Sequence, residues 1–135
     1  RNDMEGGQTN EFRPLILVAE DDDSNFKLIK AIIGKKCDIQ WAKNGEEIVA
    51  LFKEYGKEAK AILMDIKMPV MNGLDATKII REENKEIPII MQTAYAFSSD
   101  KENAMNAGAS EVLVKPITLS ILRGTLTKYF PELVW

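Results

Sequence analysis

The chain has 135 residues, 45% of them hydrophobic, and a formal net charge of −3; these suit one globular domain with a real core and argue against nucleic acid as a direct partner, since phosphate binding wants a basic face. There is no histidine and only one cysteine, which excludes Ser-His-Asp and Cys-His catalysis, His-ligated zinc and any internal disulfide. No stretch approaches a membrane span or a secretory signal pattern, and the lone thiol, Cys37, sits in apolar sequence that suits the core and a reducing compartment.

Residues 1–13 are polar, contain Gly6-Gly7 and lack apolar periodicity, so they read as a linker or tail. Leu15 to Ala19 is a continuous apolar run, as expected of a strand covered on both faces. Asp22, Asp23 or Ser24 can cap a helix whose inner face carries Phe26, Ile29, Ile32 and Ile33. Cys37 to Ala42 is a weaker strand, with Asp38 and Gln40 at alternate positions, and fits a sheet edge. Asn44-Gly45 leads into a helical pattern with Ile48, Val49, Leu51, Phe52 and Tyr55 inward, so the hairpin often signalled by Asn-Gly is rejected there and at Asn72-Gly73. Ala61 to Met64 is the third strand. Leu74 to Asn84 is helical, with Leu74, Thr77 and Ile80 as its buried stripe, and Pro88 to Met91 is the fourth strand. Ser99 to Glu102 has the spacing of a capping box that opens a helix anchored by Ala104, Met105 and Ala107 and ended by Gly108. Glu111 to Val114 is the fifth strand. Leu119, Leu122, Leu126 and Tyr129 mark a last amphipathic helix, after which Pro131 to Trp135 read as a tail too short to bind DNA. This alternation predicts an α/β domain over 14–130, doubly wound, with a parallel sheet between two helical layers.

In an open parallel sheet, ligands bind beyond the carboxyl ends of the strands. The residues there are Glu20 to Asp23 after the first strand, Asp65 after the third, Thr93 after the fourth, and Lys115-Pro116 after the fifth. Three carboxylates drawn together from Glu20, Asp21 and Asp65 repel one another, and a hard divalent cation relieves that repulsion; oxygen donors with room for water favour Mg²⁺. Such an ion also neutralises phosphoryl oxygens. Lys115 adds a positive charge and Thr93 a hydroxyl. Asp65 is then placed to act as a nucleophile toward phosphorus.

These segments resemble the response-regulator receiver domains of two-component signalling. The matching residues are Ile16 to Asp21, Met64 to Pro69 with Gly73, Thr93-Ala94 and Lys115-Pro116; 44 positions separate Asp21 from Asp65, and 22 separate Thr93 from Lys115. The resemblance covers about Arg13 to Phe130 and implies a flavodoxin-like fold of five parallel strands in the order 2-1-3-4-5. It implies that Asp65 accepts phosphate from a phosphohistidine on a histidine kinase or histidine phosphotransfer domain. It implies Mg²⁺ held by Glu20, Asp21, Asp65 and the backbone carbonyl of Lys67. Thr93 and Lys115 would bind the phosphoryl oxygens, and the Lys115–Pro116 bond is expected to be cis. Asp22 and Asp23 exceed the family's acidic pair, and fit helix capping and a negative field; Met68 and Met71 fit packing.

Two features set the chain apart. The family's switch position, usually aromatic, is Val112, so a weaker conformational readout on the fourth helix, fifth strand and fifth helix is expected. Lys67 and Tyr95, large residues two positions after Asp65 and Thr93, are expected to shield an acyl phosphate from water. The segments around Asp65 and Thr93 most resemble receivers of hybrid sensor kinases, which implies a cytoplasmic domain whose parent chain is free to be membrane-anchored. A stand-alone or truncated regulator is the alternative, and a weak homodimer is left open. A Mg²⁺-dependent phosphohydrolase is disfavoured because Lys67 stands where its acid–base carboxylate is needed. An inert binding module is disfavoured because the whole acidic, threonine and lysine set is present.

Overall fold

The computed structural model describes residues 12–135, so the linker reading of residues 1–13 lies outside the described residues except for Phe12 and Arg13. Strands and helices alternate as β1 Leu15–Ala19, α1 Asp23–Ile33, β2 Asp38–Ala42, α2 Gly45–Tyr55, β3 Ala59–Asp65, α3 Gly73–Glu83, β4 Ile89–Thr93, α4 Ser98–Ala107, β5 Glu111–Val114 and α5 Leu119–Tyr129. The strands form one sheet in the order β2-β1-β3-β4-β5, and every pairing is parallel. The doubly wound fold expected from the sequence is therefore the fold observed.

Two apolar layers hold it. On one face Ile16, Val18, Leu63 and Ile90 pack against Phe26, Ile29 and Ile33 of α1 and Leu122 and Leu126 of α5. On the other, Leu17, Ile62, Met64 and Met91 pack against Ile48 and Phe52 of α2, Ala76 and Ile80 of α3, and Ala104 of α4. Adjacent residues of β1 thus serve opposite layers, which is why that strand reads as an unbroken apolar run. Each buried valine, leucine, isoleucine, phenylalanine or methionine among them contributes about 1.5–3 kcal/mol of hydrophobic stabilisation.

Four helices start on a side-chain cap: Asp22 accepts from Ser24 N–H, Asn44 from Glu47, Asn72 from Asp75 and Thr118 from Ile121. Each such cap is worth about 1 kcal/mol. α4 differs from expectation. It begins at Ser98 with Phe97 at the capping position and no side-chain hydrogen bond there, so Ser99 lies inside the helix and the Ser99–Glu102 capping box does not form. Met105 is half exposed and anchors nothing, leaving Ala104 and Ala107 as the buried residues of its apolar face. Leu119 is likewise half exposed, and Thr125 takes a buried place on α5 instead. In α3 Ala76 is fully buried while Leu74 is only partly so. Cys37 lies just before β2, buried at 2% exposure.

Polar ties that no periodicity reveals fix the element ends. Arg13 donates to the carbonyls of Gly34, Lys35 and Cys37 and pairs with Asp38, closing the α1–β2 turn. Arg81 reaches from α3 to the carbonyls of Gly108 and Asn84 and to the hydroxyl of Ser110, which itself accepts from Ile89 N–H. Gly108, at φ 119°, supplies the left-handed residue that ends α4. After α5 the chain folds back: Leu133 is buried in the α1/α5 layer, and the Trp135 indole donates to the Thr127 hydroxyl at 2.9 Å.

Candidate functional site

The carboxyl ends of β1, β3, β4 and β5 bring Glu20, Asp21, Asp65, Thr93 and Lys115 around one cleft of about 260 Å³. β1 ends at Ala19, which places Glu20 immediately beyond the sheet. β3 runs two residues earlier and one later than its apolar core, so Asp65 is its last residue, opposite Gln92 of β4. β4 likewise extends to Thr93, because a polar side chain does not prevent its backbone from joining the ladder. The Thr93 carbonyl accepts from Lys115 N–H at 2.7 Å, which fixes the β4 and β5 ends together. The Lys115–Pro116 peptide is cis.

The loop after Asp65 returns tightly. Gly73 N–H donates to the Ile66 carbonyl at 2.8 Å, and a Cβ on Gly73 would collide with the Asp65 carbonyl oxygen; this close approach is what the glycine permits. Within the loop Met71 N–H donates to the Pro69 carbonyl at 2.7 Å, a γ-turn whose central residue, Val70, has φ 71°.

Glu20, Asp21 and Asp65 each offer a carboxylate oxygen, and these lie within 4.8 Å of one another. Glu20 is fully buried and Asp65 is 5% exposed, whereas Asp21 faces solvent. Lys115 Nζ donates to Asp65 Oδ2 at 3.0 Å. It stands 3.6 Å from Glu20 Oε1, close enough for an ion pair but too far for a good hydrogen bond, so that buried oxygen has no hydrogen-bond partner among the described residues. The other oxygen, Oε2, accepts from Asp22 N–H at 3.2 Å. Burial and repulsion from Asp65 push the Glu20 carboxyl up to about 7, against the opposing pull of Asp22 N–H and Lys115. Burial alone would lower Lys115; the hydrogen bond and charge of Asp65, with Glu20 and Asp21 beyond, outweigh it and the net direction is up. One ammonium facing three carboxylates leaves the cluster short of positive charge. An orphaned buried acceptor, an all-oxygen donor set and an open side fit a hard divalent cation.

Thr93 is buried, and its Oγ1 accepts from Tyr95 N–H at 3.1 Å. Lys67 and Tyr95 flank the cleft together, with Lys67 Nζ 5.0 Å from the centre of the Tyr95 ring. Val112 is half-buried in β5 and packs against the α2/α3/α4 layer rather than lining the cleft. Met68 and Met71 also pack on that layer. Some residues escaped the strand-end reading, Asn25 in the first turn of α1 among them. Asp100, in the first turn of α4, lines the cleft; it lies seven positions beyond Thr93 and carries no strand-end signal. Trp41, on β2, donates its indole N–H to the Glu20 carbonyl at 2.8 Å; a tryptophan on an edge strand with polar residues at alternate positions was the available clue. No helix among the described residues is long and apolar enough to cross a membrane.

The family model for the response regulator receiver domain matches residues 16–127. The chain is 41% identical to hybrid signal transduction histidine kinase I of Dictyostelium discoideum, over 87% of this chain but 7% of that protein's length. Among solved structures, the magnesium-bound receiver domain of a Pseudomonas aeruginosa sensor histidine kinase is 30% identical, with a TM-score of 0.81 over 89% of this chain and 99% of that one. A Saccharomyces cerevisiae receiver domain, solved with a histidine phosphotransfer protein, is 28% identical, with a TM-score of 0.82 over 93% and 96% of the two chains. Strand order, the acidic cluster at the sheet's carboxyl edge and these matches agree: the chain belongs to the response-regulator receiver domain family and is a receiver domain of two-component phosphorelay signalling.

Proposed function

We propose that Asp65 is the phosphoacceptor and that Mg²⁺ is held by Glu20, Asp21, Asp65 and the Lys67 backbone carbonyl. The observation that carries this reading is the convergence of three carboxylates within 4.8 Å beside Lys115, 3.0 Å from Asp65. When bound, the ion neutralises carboxylate and phosphoryl charge. Asp65 attacks the phosphorus of a phosphohistidine; an Asp65 O–P bond forms as the P–N bond breaks, and the electron pair leaves with the imidazole. The Lys115 ammonium moves its contact from the carboxylate toward the transferred phosphoryl oxygens, and the Thr93 hydroxyl donates to one of them. With no histidine among these 135 residues, the phosphoryl donor is another domain or another chain: a histidine kinase or a histidine phosphotransfer domain, the class of protein seen with the yeast receiver. The match to a hybrid kinase supports a cytoplasmic receiver within such a parent.

Incubation with acetyl phosphate and Mg²⁺, followed by intact mass, tests the reading. One phosphate adduct is expected on the natural chain and none on Asp65→Asn or in EDTA. An adduct that survives Asp65→Asn excludes Asp65 as the acceptor.

A further inference from the structure

Glu20 lies one residue beyond the last β1–β2 pair, Ala19 with Ala42. A chain leaving a sheet there ordinarily loses its ladder partners. Here both backbone polar groups of Glu20 are still held by β2. Its N–H donates to the Ala42 carbonyl at 2.9 Å, and its carbonyl accepts from Trp41 Nε1 at 2.8 Å. Glu20 is fully buried, so water does not replace that indole as the carbonyl's partner.

The indole is itself fixed in place. It lies flat on the Phe26 ring of α1, with centroids 3.9 Å apart and an interplanar angle of 1°. Lys43 Nζ stands 4.8 Å from the same indole and pairs with Asp23 at 3.2 Å. The acidic turn after β1 is therefore held from the edge strand at its first residue, and an exposed ion pair from Lys43, just past β2, reaches it at Asp23. Packing alone does not account for this. A phenylalanine or leucine would fill the space beside Phe26, whereas only the indole brings a donor to the one backbone carbonyl that carries the buried carboxylate.

We infer that Trp41 is a positioning residue for the divalent-cation site: its indole N–H fixes the Glu20 backbone so that the Glu20 and Asp21 carboxylates keep the spacing a cation needs. The inference rests on the cation reading proposed above. Ligands held by a rigid supporting shell bind more tightly than the same ligands left to reorganise.

Calorimetric titration of Mg²⁺ into the natural chain, into Trp41→Phe and into a chain carrying 3-benzothienylalanine at position 41 tests it. The last keeps the shape and stacking of tryptophan and lacks the N–H. Both variants are expected to bind Mg²⁺ about fivefold more weakly, the effect of losing one hydrogen bond. The benzothienyl chain is expected to keep its unfolding midpoint in EDTA within a few degrees. If Trp41→Phe does not fold, the isostere alone decides. A purely structural tryptophan would lower the midpoint and leave the Mg²⁺ Kd within about twofold, and that result overturns this inference while the cation reading stands. No saturable Mg²⁺ binding by the natural chain overturns both.

Discussion

At the scale of single residues, we propose that Lys67 and Tyr95 set how exposed an acyl phosphate on Asp65 would be. They come from different loops and meet across the cleft, with the ammonium 5.0 Å from the ring centre. Such a contact at an exposed site is worth about 0.5–1 kcal/mol, which corresponds to roughly two- to fivefold in rate if it is lost. Acyl-phosphate lifetime, followed by mass after removal of phosphodonor, is expected to shorten by about that factor in Lys67→Asn and in Tyr95→Ala. The double variant is expected to gain little beyond either single one, because the two side chains form one contact. Unchanged lifetimes in all three would exclude shielding. Asp65, the acidic pair, Thr93 and Lys115 were legible in the sequence because each follows an apolar run. Asp100 and Trp41 were not, because each acts by tertiary placement: Asp100 lines the cleft from the first turn of a helix, and Trp41 holds the Glu20 carbonyl from across a strand pair.

At the scale of elements, the β3–α3 loop holds Val70 at φ 71° with its side chain 71% exposed. A β-branched residue in the left-handed region costs about 1–2 kcal/mol, and glycine removes that cost while losing roughly 0.5–1 kcal/mol of chain entropy. Since the exposed side chain packs on little, Val70→Gly is expected to raise stability by up to about 1 kcal/mol, or about 2–4 °C in thermal midpoint. A lowered midpoint would mean that the turn does not strain the valine. Helices with an apolar stripe and a capping side chain, α1, α2 and α3, could be read from sequence, with the ends of α3 displaced by one residue. α4 could not. With only alanines to bury, its pattern left the capping position open, and the Ser99–Glu102 spacing pointed two residues too far along the chain. Leu119 misled for a related reason: spacing placed it on the apolar stripe, but at the first turn of α5 it projects past the core.

At the scale of the whole molecule, the acidic cluster sits where the two apolar layers end, so its repulsion acts against the fold as a unit. A ligand that binds only the folded chain stabilises it by mass action, by about 2.7 kcal/mol at a hundred times its Kd. Mg²⁺ is accordingly expected to raise the thermal midpoint of the natural chain and to leave that of Asp21→Asn nearly unmoved. Without metal the order reverses: Asp21→Asn, which removes one of three crowded charges, is expected to match or exceed the natural chain in EDTA. Calorimetric melts with and without Mg²⁺ check both halves. The sheet order became legible only through the family resemblance, because alternation alone leaves several right-handed parallel orders open. The polar ties of Arg13 and Arg81 stayed invisible, because long-range hydrogen bonds from one side chain to several carbonyls leave no periodic trace.

α4 has two buried alanines on its apolar face and no capping side chain. Its local opening equilibrium therefore lies closer to unity than that of any helix anchored by leucine or isoleucine. With valine at position 112 there is no ring to rotate, and we propose that a change at Thr93 is passed on as a shift in the population of docked α4.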